Sequence, residues 1–294
     1  MSYVAAARNL TLHALRVTRR EFIRSTPLFV RLQPWVPVSD EAVPDARAWC
    51  VVCRWRGDSF KGVEHSESAV CPRCRSIARD RFLHLSLLQQ VPYRRELRVL
   101  EMSPRLGKGY QRAMRRRVDY IASDYDERWH RGKVKLNLQR LDLPNASVDV
   151  LLTAHVLEHV PDTDAALAEL FRVLRPGGTL LLQVPLLQTV TAPPVEPEFH
   201  EDNSPVFWRF GLDLTQRLRS QGFATTLLVT EELHQRVVTR TAPPLGSVSA
   251  EVDTAGLVMD ADPADLTVVA SNKVARCTGL APWYLFAAWH CVKP

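Results

Sequence analysis

The sequence predicts an α/β protein in which a doubly wound, mostly parallel sheet follows a small cysteine-containing module. Two observations lead to this prediction. Residues 147–185 run through an apolar strand, a loop, an amphipathic helix, a Pro-Gly-Gly turn and a second apolar strand, which is the pattern of a βαβ unit. Two Cys-x-x-Cys pairs lie between residues 50 and 74, before that unit.

The composition is that of a soluble globular protein, with 46% hydrophobic and 24% charged residues among 294. No segment approaches the roughly 18 apolar residues that a membrane-spanning helix needs, and no secretory signal pattern is visible. We therefore expect a cytoplasmic protein with no transmembrane segment. The net charge of +6 is compatible with an anionic partner such as RNA, an acidic glycan or a phosphorylated small molecule.

Four regions are expected: a basic N-terminal helix and linker (1–46), a zinc module with its connecting helix (47–92), the main domain (93–274) and an aromatic tail (275–294). The basic helix has three interpretations: a membrane or nucleic-acid contact, a solvated lead-in helix, or a transit peptide. The tail would pack on the body, cover a pocket or form a dimer contact. The sequence does not choose among these, and it does not predict the oligomeric state.

The strongest motif is a set of four cysteines: Cys50, Cys53, Cys71 and Cys74. Two such pairs separated by a short hairpin provide the four soft ligands of a tetrahedral zinc ion. A four-thiolate site has no open position, so this zinc would be structural. The alternatives are two disulfides, which a reducing cytosol disfavours, or a redox dithiol, which needs only one pair.

A helix is predicted over residues 75–90, directly after the second cysteine pair, with Ile77, Phe82, Leu85 and Leu88 apolar. Four arginines make this stretch basic: Arg73, Arg75, Arg79 and Arg81. They would either grip a phosphate or carboxylate of a substrate or form a solvated face.

The segments HVLEHVPD and ALAELFRVLRPGGTLLLQVP resemble the centre of the class I S-adenosylmethionine-dependent methyltransferases of the type 11 kind. The resemblance implies a seven-stranded Rossmann-like sheet, S-adenosyl-L-methionine as cofactor and transfer of its methyl group. The cysteine motif running into a helix is similar to that of a group of bacterial methyltransferases, in which the module precedes the catalytic domain and covers the substrate side.

The resemblance also implies a cofactor site. The loop after the first strand contains Glu101, Ser103 and Gly107, with Ser103-Pro104 where the family has small glycines. Asp124 ends the second strand, where a carboxylate accepts hydrogen bonds from both ribose hydroxyls. Asn137 occupies the position of an adenine contact.

Two histidines are candidate catalytic residues. By resemblance, His155 lies nearest the transferred methyl, where an imidazole is able to accept a proton. The alternative is that its loop only shapes the pocket, with Glu158 and His159 hydrogen-bonded inside the fold. His200, in a proline-rich loop expected to be irregular, is a second candidate base or substrate contact.

Seven strands are expected, the first at 97–102 and the others at 120–124, 134–138, 148–152, 179–184, 223–229 and 265–270. The predicted function is methyl transfer to an oxygen or nitrogen of a small molecule or glycan precursor. One alternative is an RNA methyltransferase. The other, suggested by the altered glycine loop, is a non-catalytic scaffold whose zinc module binds a partner.

Overall fold

The computed structural model describes residues 30–62, 69–125, 134–186, 188–200, 203–241, 254–280 and 284–294. The predicted basic helix at the N-terminus lies outside these residues up to position 29. A search of the described helices finds none with the length and apolar character that a membrane span requires.

The described strands are β1 Ala48–Trp49, β2 Arg56–Gly57, β3 Arg98–Met102, β4 Asp119–Asp124, β5 Val134–Lys135, β6 Val148–Ala154, β7 Leu174–Gln183, β8 Glu198–Phe199, β9 Pro205–Val206, β10 Ala224–Thr230, β11 Leu266–Ala270 and β12 Ala287–Val292. The described helices are α1 Ala78–Gln90, α2 Lys108–Arg115, α3 Thr163–Val173, α4 Leu214–Ser220, α5 Glu231–Thr239, α6 Thr254–Asp260 and α7 Asn272–Thr278.

The main sheet confirms the predicted doubly wound, Rossmann-like fold. Within the described chain its strand order is β11-β10-β12-β7-β6-β3-β4-β5, and only β12 runs antiparallel to its neighbours. From β3 the chain winds outward through β4 to β5, and from β6 it winds the opposite way to β7. Such a reversal opens a crevice at the carboxyl ends of the two central strands, where open α/β sheets bind ligands.

The seventh predicted strand, at 265–270, is confirmed as β11, which lies at the outer edge of the sheet and pairs in parallel with β10. The described sheet has an eighth strand that the sequence analysis did not predict. The antiparallel strand between β7 and β10 is β12, which the predicted tail forms. The sequence of β12 lacks the run of β-branched residues typical of a strand. Its Trp289 is nevertheless fully buried, and the Nε1 of this residue donates a hydrogen bond to Thr215 Oγ1 at 2.9 Å.

Two local predictions also differ from the structure. The third strand, β5, is two residues long, because the chain leaves the sheet at Leu136. The proline-rich loop, expected to be irregular, contains the β8–β9 hairpin. The sequence predicts either Asp162 or Thr163 as the cap of α3. In the structure the cap is Asp162, whose side chain accepts a hydrogen bond from the Ala165 N–H at 2.9 Å.

Alternate residues of the strands point to opposite faces of the sheet. One face, with Leu100 and Leu151, packs against α3 and α4, whereas the other, with Val99 and Val150, packs against α1 and the cysteine module. Residues 34–44, expected as a linker, bury three side chains in this second layer: Trp35, Val38 and Val43. The module therefore shares its core with the sheet.

Candidate functional site

The crevice begins where β3 and β6 end. Ser103 and His155 are the first residues after their respective strands, and both have a left-handed backbone, with φ of 49° and 55°. Residues other than glycine rarely adopt this conformation. Backbone hydrogen bonds hold both: Ser103 N–H donates to Ser123 O at 2.8 Å, and His155 N–H donates to Gln183 O at 2.7 Å.

The structure brings together two residues of the predicted cofactor site, Ser103 and Asp124. The Ser103 hydroxyl donates to Oδ1 of Asp124 at 3.3 Å, and the Tyr125 N–H donates to the same oxygen at 2.8 Å. Asp124 is buried. The neighbouring strands β3 and β4 therefore present a partly solvated hydroxyl and a buried carboxylate at one edge of the sheet.

Glu101 lies within β3 and is also buried. Its Oε2 accepts a hydrogen bond from the Tyr120 hydroxyl at 2.5 Å. Burial raises the pKa of Glu101 to about 7, against the lowering effect of that hydrogen bond and with a further rise from the charge of Asp80. Glu101 thus exchanges its proton near neutral pH.

A cleft lies between α1 and the loop after β3. Glu101 and Ser103 line it, together with four polar residues that sequence analysis did not select: Asp80, His84, Arg105 and Tyr110. Asp80 and His84 are four residues apart on α1, so they share one helix face. The spacing places the two residues on one face, but it does not tell which face meets the cleft, and the sequence analysis considered only the apolar residues and the arginines of this helix.

The two polar side chains on α1, Asp80 and His84, differ in their contacts. Asp80 Oδ2 accepts from the Ile77 N–H at 2.9 Å, and its Oδ1 lies 3.5 Å from Arg105 Nε. Neither ring nitrogen of His84 has a hydrogen-bond partner among the described residues. Burial lowers the pKa of His84 to about 4, so this ring is neutral at physiological pH.

The other predicted cofactor residues do not line this cleft, namely Gly107, Asp124, Asn137 and His155. Gly107 precedes α2, and its carbonyl accepts from the Tyr110 N–H at 3.0 Å. Asn137 is exposed, and its Oδ1 accepts from the Gln139 N–H at 3.0 Å, so this amide oxygen stabilises its own turn.

His155 contacts α1 as well as its own loop. Nη1 of Arg79 lies 3.2 Å from His155 Nδ1, and Oε1 of Glu158 lies 3.5 Å from the same nitrogen. Nδ1 therefore lies between the Arg79 guanidinium, which only donates, and the Glu158 carboxylate. His200 lies beside His159 instead, with ring centroids 4.9 Å apart.

The four module cysteines form one buried cluster without disulfides. The sulfurs of Cys50 and Cys74 lie 3.6 Å apart, as do those of Cys53 and Cys71. Thiolates around a tetrahedral zinc ion are about 3.8 Å apart, given Zn–S bonds of about 2.3 Å. The donor set, its burial and its spacing therefore fit zinc.

Arg81 does not belong to a solvated or substrate-gripping face, so that prediction was wrong for this residue. Its side chain is fully buried, and its guanidinium lies 3.8 Å from the ring centroid of Phe60. It donates to three backbone carbonyls, those of Ala69, Ser76 and Thr278. Burial raises the pKa of the Cys50 thiol, but hydrogen bonds with Cys53, Cys71 and Cys74 and, to a smaller extent, the charge of Arg81 outweigh burial and lower it.

Comparison with known proteins gives matches in the segment that follows Ser103. Residues 106–182 match a family described as "Methyltransferase domain". A Mycolicibacterium smegmatis protein named "Probable S-adenosylmethionine-dependent methyltransferase" is 43% identical over 74 residues, 22% of this chain and 29% of the relative. A ubiquinone/menaquinone biosynthesis C-methyltransferase of Shewanella piezotolerans is 43% identical over 49 residues, 17% of this chain and 20% of the relative.

Among solved structures, a SAM-dependent methyltransferase from Archaeoglobus fulgidus aligns over 75% of this chain and 96% of its own, with 15% identity and a TM-score of 0.43. The chain spans less than a third of the length of the two curated relatives named above. Residues 106–182, which include β4, β5, β6 and α3, match a methyltransferase domain.

Proposed function

We propose that this protein is an S-adenosylmethionine-dependent methyltransferase. The observation that carries the proposal is the match of residues 106–182 to a methyltransferase domain, because this segment contributes β6 to the crevice at the switch point. The buried carboxylate of Asp124, oriented by Ser103 and Tyr125, suits a ribose, whose two hydroxyls both donate to an ionised acceptor.

The residues around the crevice suggest a division of roles. Glu101, Ser103 and Asp124 would hold the cofactor, and Gly107 and Asn137 remain predicted contacts. His155 would lie beside the transferred methyl as a proton acceptor or as part of the pocket wall, next to Arg79 of α1. Methyl transfer from a sulfonium is a direct displacement, so positioning of the acceptor supplies much of the rate.

The proposed acceptor is an oxygen or nitrogen of a small molecule or glycan precursor. The β8–β9 hairpin is bonded to the turn after β6, with His159 Nδ1 2.6 Å from Pro205 O. A hairpin held beside the carboxyl end of β6 favours a small acceptor over a structured RNA. The cysteine cluster would bind a structural zinc ion and fix α1, which forms one wall of the cleft.

Calorimetric titration of the zinc-loaded protein with S-adenosylmethionine tests the proposal. We expect one site per chain, with Asp124→Ala weakening binding by about 1–3 kcal/mol. Asp260→Ala is the matched control, because this aspartate is exposed at the end of α6. Folded protein that does not bind the cofactor, or an Asp124→Ala variant with unchanged affinity, would overturn the proposal or its ribose site respectively.

A further inference from the structure

A second group of donor atoms lies beside His155, apart from the cysteine cluster. It consists of the Glu158 carboxylate and the rings of His159 and His200, with the three ligand atoms all within 4.8 Å of one another. Glu158 and His159 belong to the 3₁₀ turn Leu157–His159 that follows β6. His200 directly follows β8 in the hairpin.

Glu158 is 2% exposed, and neither of its carboxylate oxygens accepts a hydrogen bond from a described residue. The two nearest ring nitrogens, His155 Nδ1 at 3.5 Å and His159 Nε2 at 3.9 Å from Oε1, lie farther away than in an ordinary hydrogen bond. A buried carboxylate without donors is costly unless a cation or a water compensates it.

The orientation of His159 is that of a metal ligand. Its Nδ1 lies 2.6 Å from the carbonyl oxygen of Pro205. A carbonyl only accepts, so Nδ1 carries the proton, and the lone pair on Nε2 faces Glu158. A hydrogen bond from the second ring nitrogen to a carbonyl or carboxylate is the usual support of metal-binding histidines.

Backbone hydrogen bonds hold the elements that carry the three donors. His200 N–H donates to Ser204 O at 3.0 Å within the hairpin, and Phe207 N–H donates to Glu158 O at 2.8 Å between hairpin and turn. Nitrogen and oxygen ligands of a tetrahedral zinc ion are about 3.4 Å apart. Since His200 is exposed, rotation of its side chain is sufficient to close the set.

We propose that Glu158, His159 and His200 bind a divalent transition-metal ion such as Zn²⁺, Co²⁺ or Fe²⁺. Two imidazole nitrogens and one carboxylate oxygen leave coordination positions open.

One of these positions takes the oxygen of the methyl acceptor, a role that rests on the proposed function. The metal lowers the pKa of the acceptor hydroxyl, which releases its proton to water. The oxygen then bonds to the methyl carbon as the carbon–sulfur bond breaks, and the electron pair of that bond returns to sulfur.

Titration with cobalt(II) of protein that holds one equivalent of zinc, in the cysteine cluster, tests the site. We expect one equivalent with the weak visible absorption of nitrogen and oxygen ligands, without the thiolate-to-cobalt bands that mark the cysteine cluster. His159→Ala and His200→Ala should each weaken its binding more than about tenfold. The matched control is His234→Ala, since His234 lies on α5 outside the group.

Cobalt that fails to bind outside the cysteine cluster, or binds wild type and His200→Ala equally, would overturn the inference. His200→Ala alters an exposed hairpin residue, so loss of the fold does not explain its effect. S-adenosylmethionine affinity is measured on the same samples. If the protein binds S-adenosylmethionine but no cobalt outside the cysteine cluster, the metal inference alone is wrong. If it binds cobalt at this site but no S-adenosylmethionine, the metal site stands and the proposed methyltransferase function is wrong.

Discussion

Arg81 Nε of α1 donates to the backbone carbonyl of Thr278 at 2.6 Å, joining residues 197 positions apart. This contact ties the helix that leaves the cysteine module to the end of α7. The same guanidinium also bonds the carbonyls of Ala69 and Ser76 within the module. One buried side chain thus connects the module, α1 and the distal part of the main domain.

Replacement of Arg81 by Met should destabilise the whole protein. The methionine fills part of the volume but leaves three buried carbonyls without their donor, a loss of about 3 kcal/mol or more in unfolding free energy. Urea unfolding of the zinc-loaded protein measures it. Arg73→Met, at an exposed position of the same module, is the control and should change stability by less than about 0.5 kcal/mol. Equal effects of the two substitutions would contradict the assigned role.

Removal of the module zinc should unfold more than the module. Because Cys50, Cys74 and Phe82 belong to the same buried cluster as Val99 of β3, we expect a single transition, shifted to lower temperature, in the Cys71→Ser/Cys74→Ser variant or with a strong chelator. Differential scanning calorimetry provides the measurement, with Cys277→Ser as the thiol control. Two separate transitions, one of them unchanged, would show that the module folds independently.

Substitutions of Ser103 should separate backbone strain from hydrogen bonding. Both Ser103→Gly and Ser103→Ala lose the hydroxyl that donates to Asp124, but only glycine adopts the observed φ of 49° without a Cβ penalty. Ser103→Gly should therefore be more stable than Ser103→Ala by about 1 kcal/mol, as measured by urea unfolding. Equal stability, or a more stable alanine variant, would mean that this φ stores no strain.

The protein should lose stability through Glu101 as the pH rises. Burial raises its pKa from the usual 4.5 to about 7 in the folded state, so the unfolded chain releases this proton first. The resulting loss of unfolding free energy grows between pH 4.5 and pH 7 and is constant above that range. Glu101→Gln keeps an acceptor for Tyr120 but does not ionise. Its stability relative to wild type should rise across this window by about 3 kcal/mol, and a difference that is independent of pH would contradict the assignment.

Sequence analysis succeeded where the signal was local. The apolar runs of β3 and β6 and the cap at Asp162 depend on neighbouring residues, and the structure confirms all three. Sequence analysis failed where the position of a strand or side chain depends on contacts with residues distant in the sequence. The place of β12 is set by its pairing with β7 and β10. The contribution of His84 to the cleft is set by the packing of α1 against the sheet. Neither the pairing nor the packing corresponds to a period or motif in the sequence.

The place of β12 constrains how this chain folds on the ribosome. β12 is the last described strand to be synthesised, yet it lies between β7 and β10. Until residue 292 has emerged, both of those strands expose an unpaired edge, and the β10–β11 pair has no described strand linking it to the rest of the sheet. Unpaired edges of this kind promote association between chains, so the nascent protein passes through its most aggregation-prone stage just before synthesis of this strand is complete.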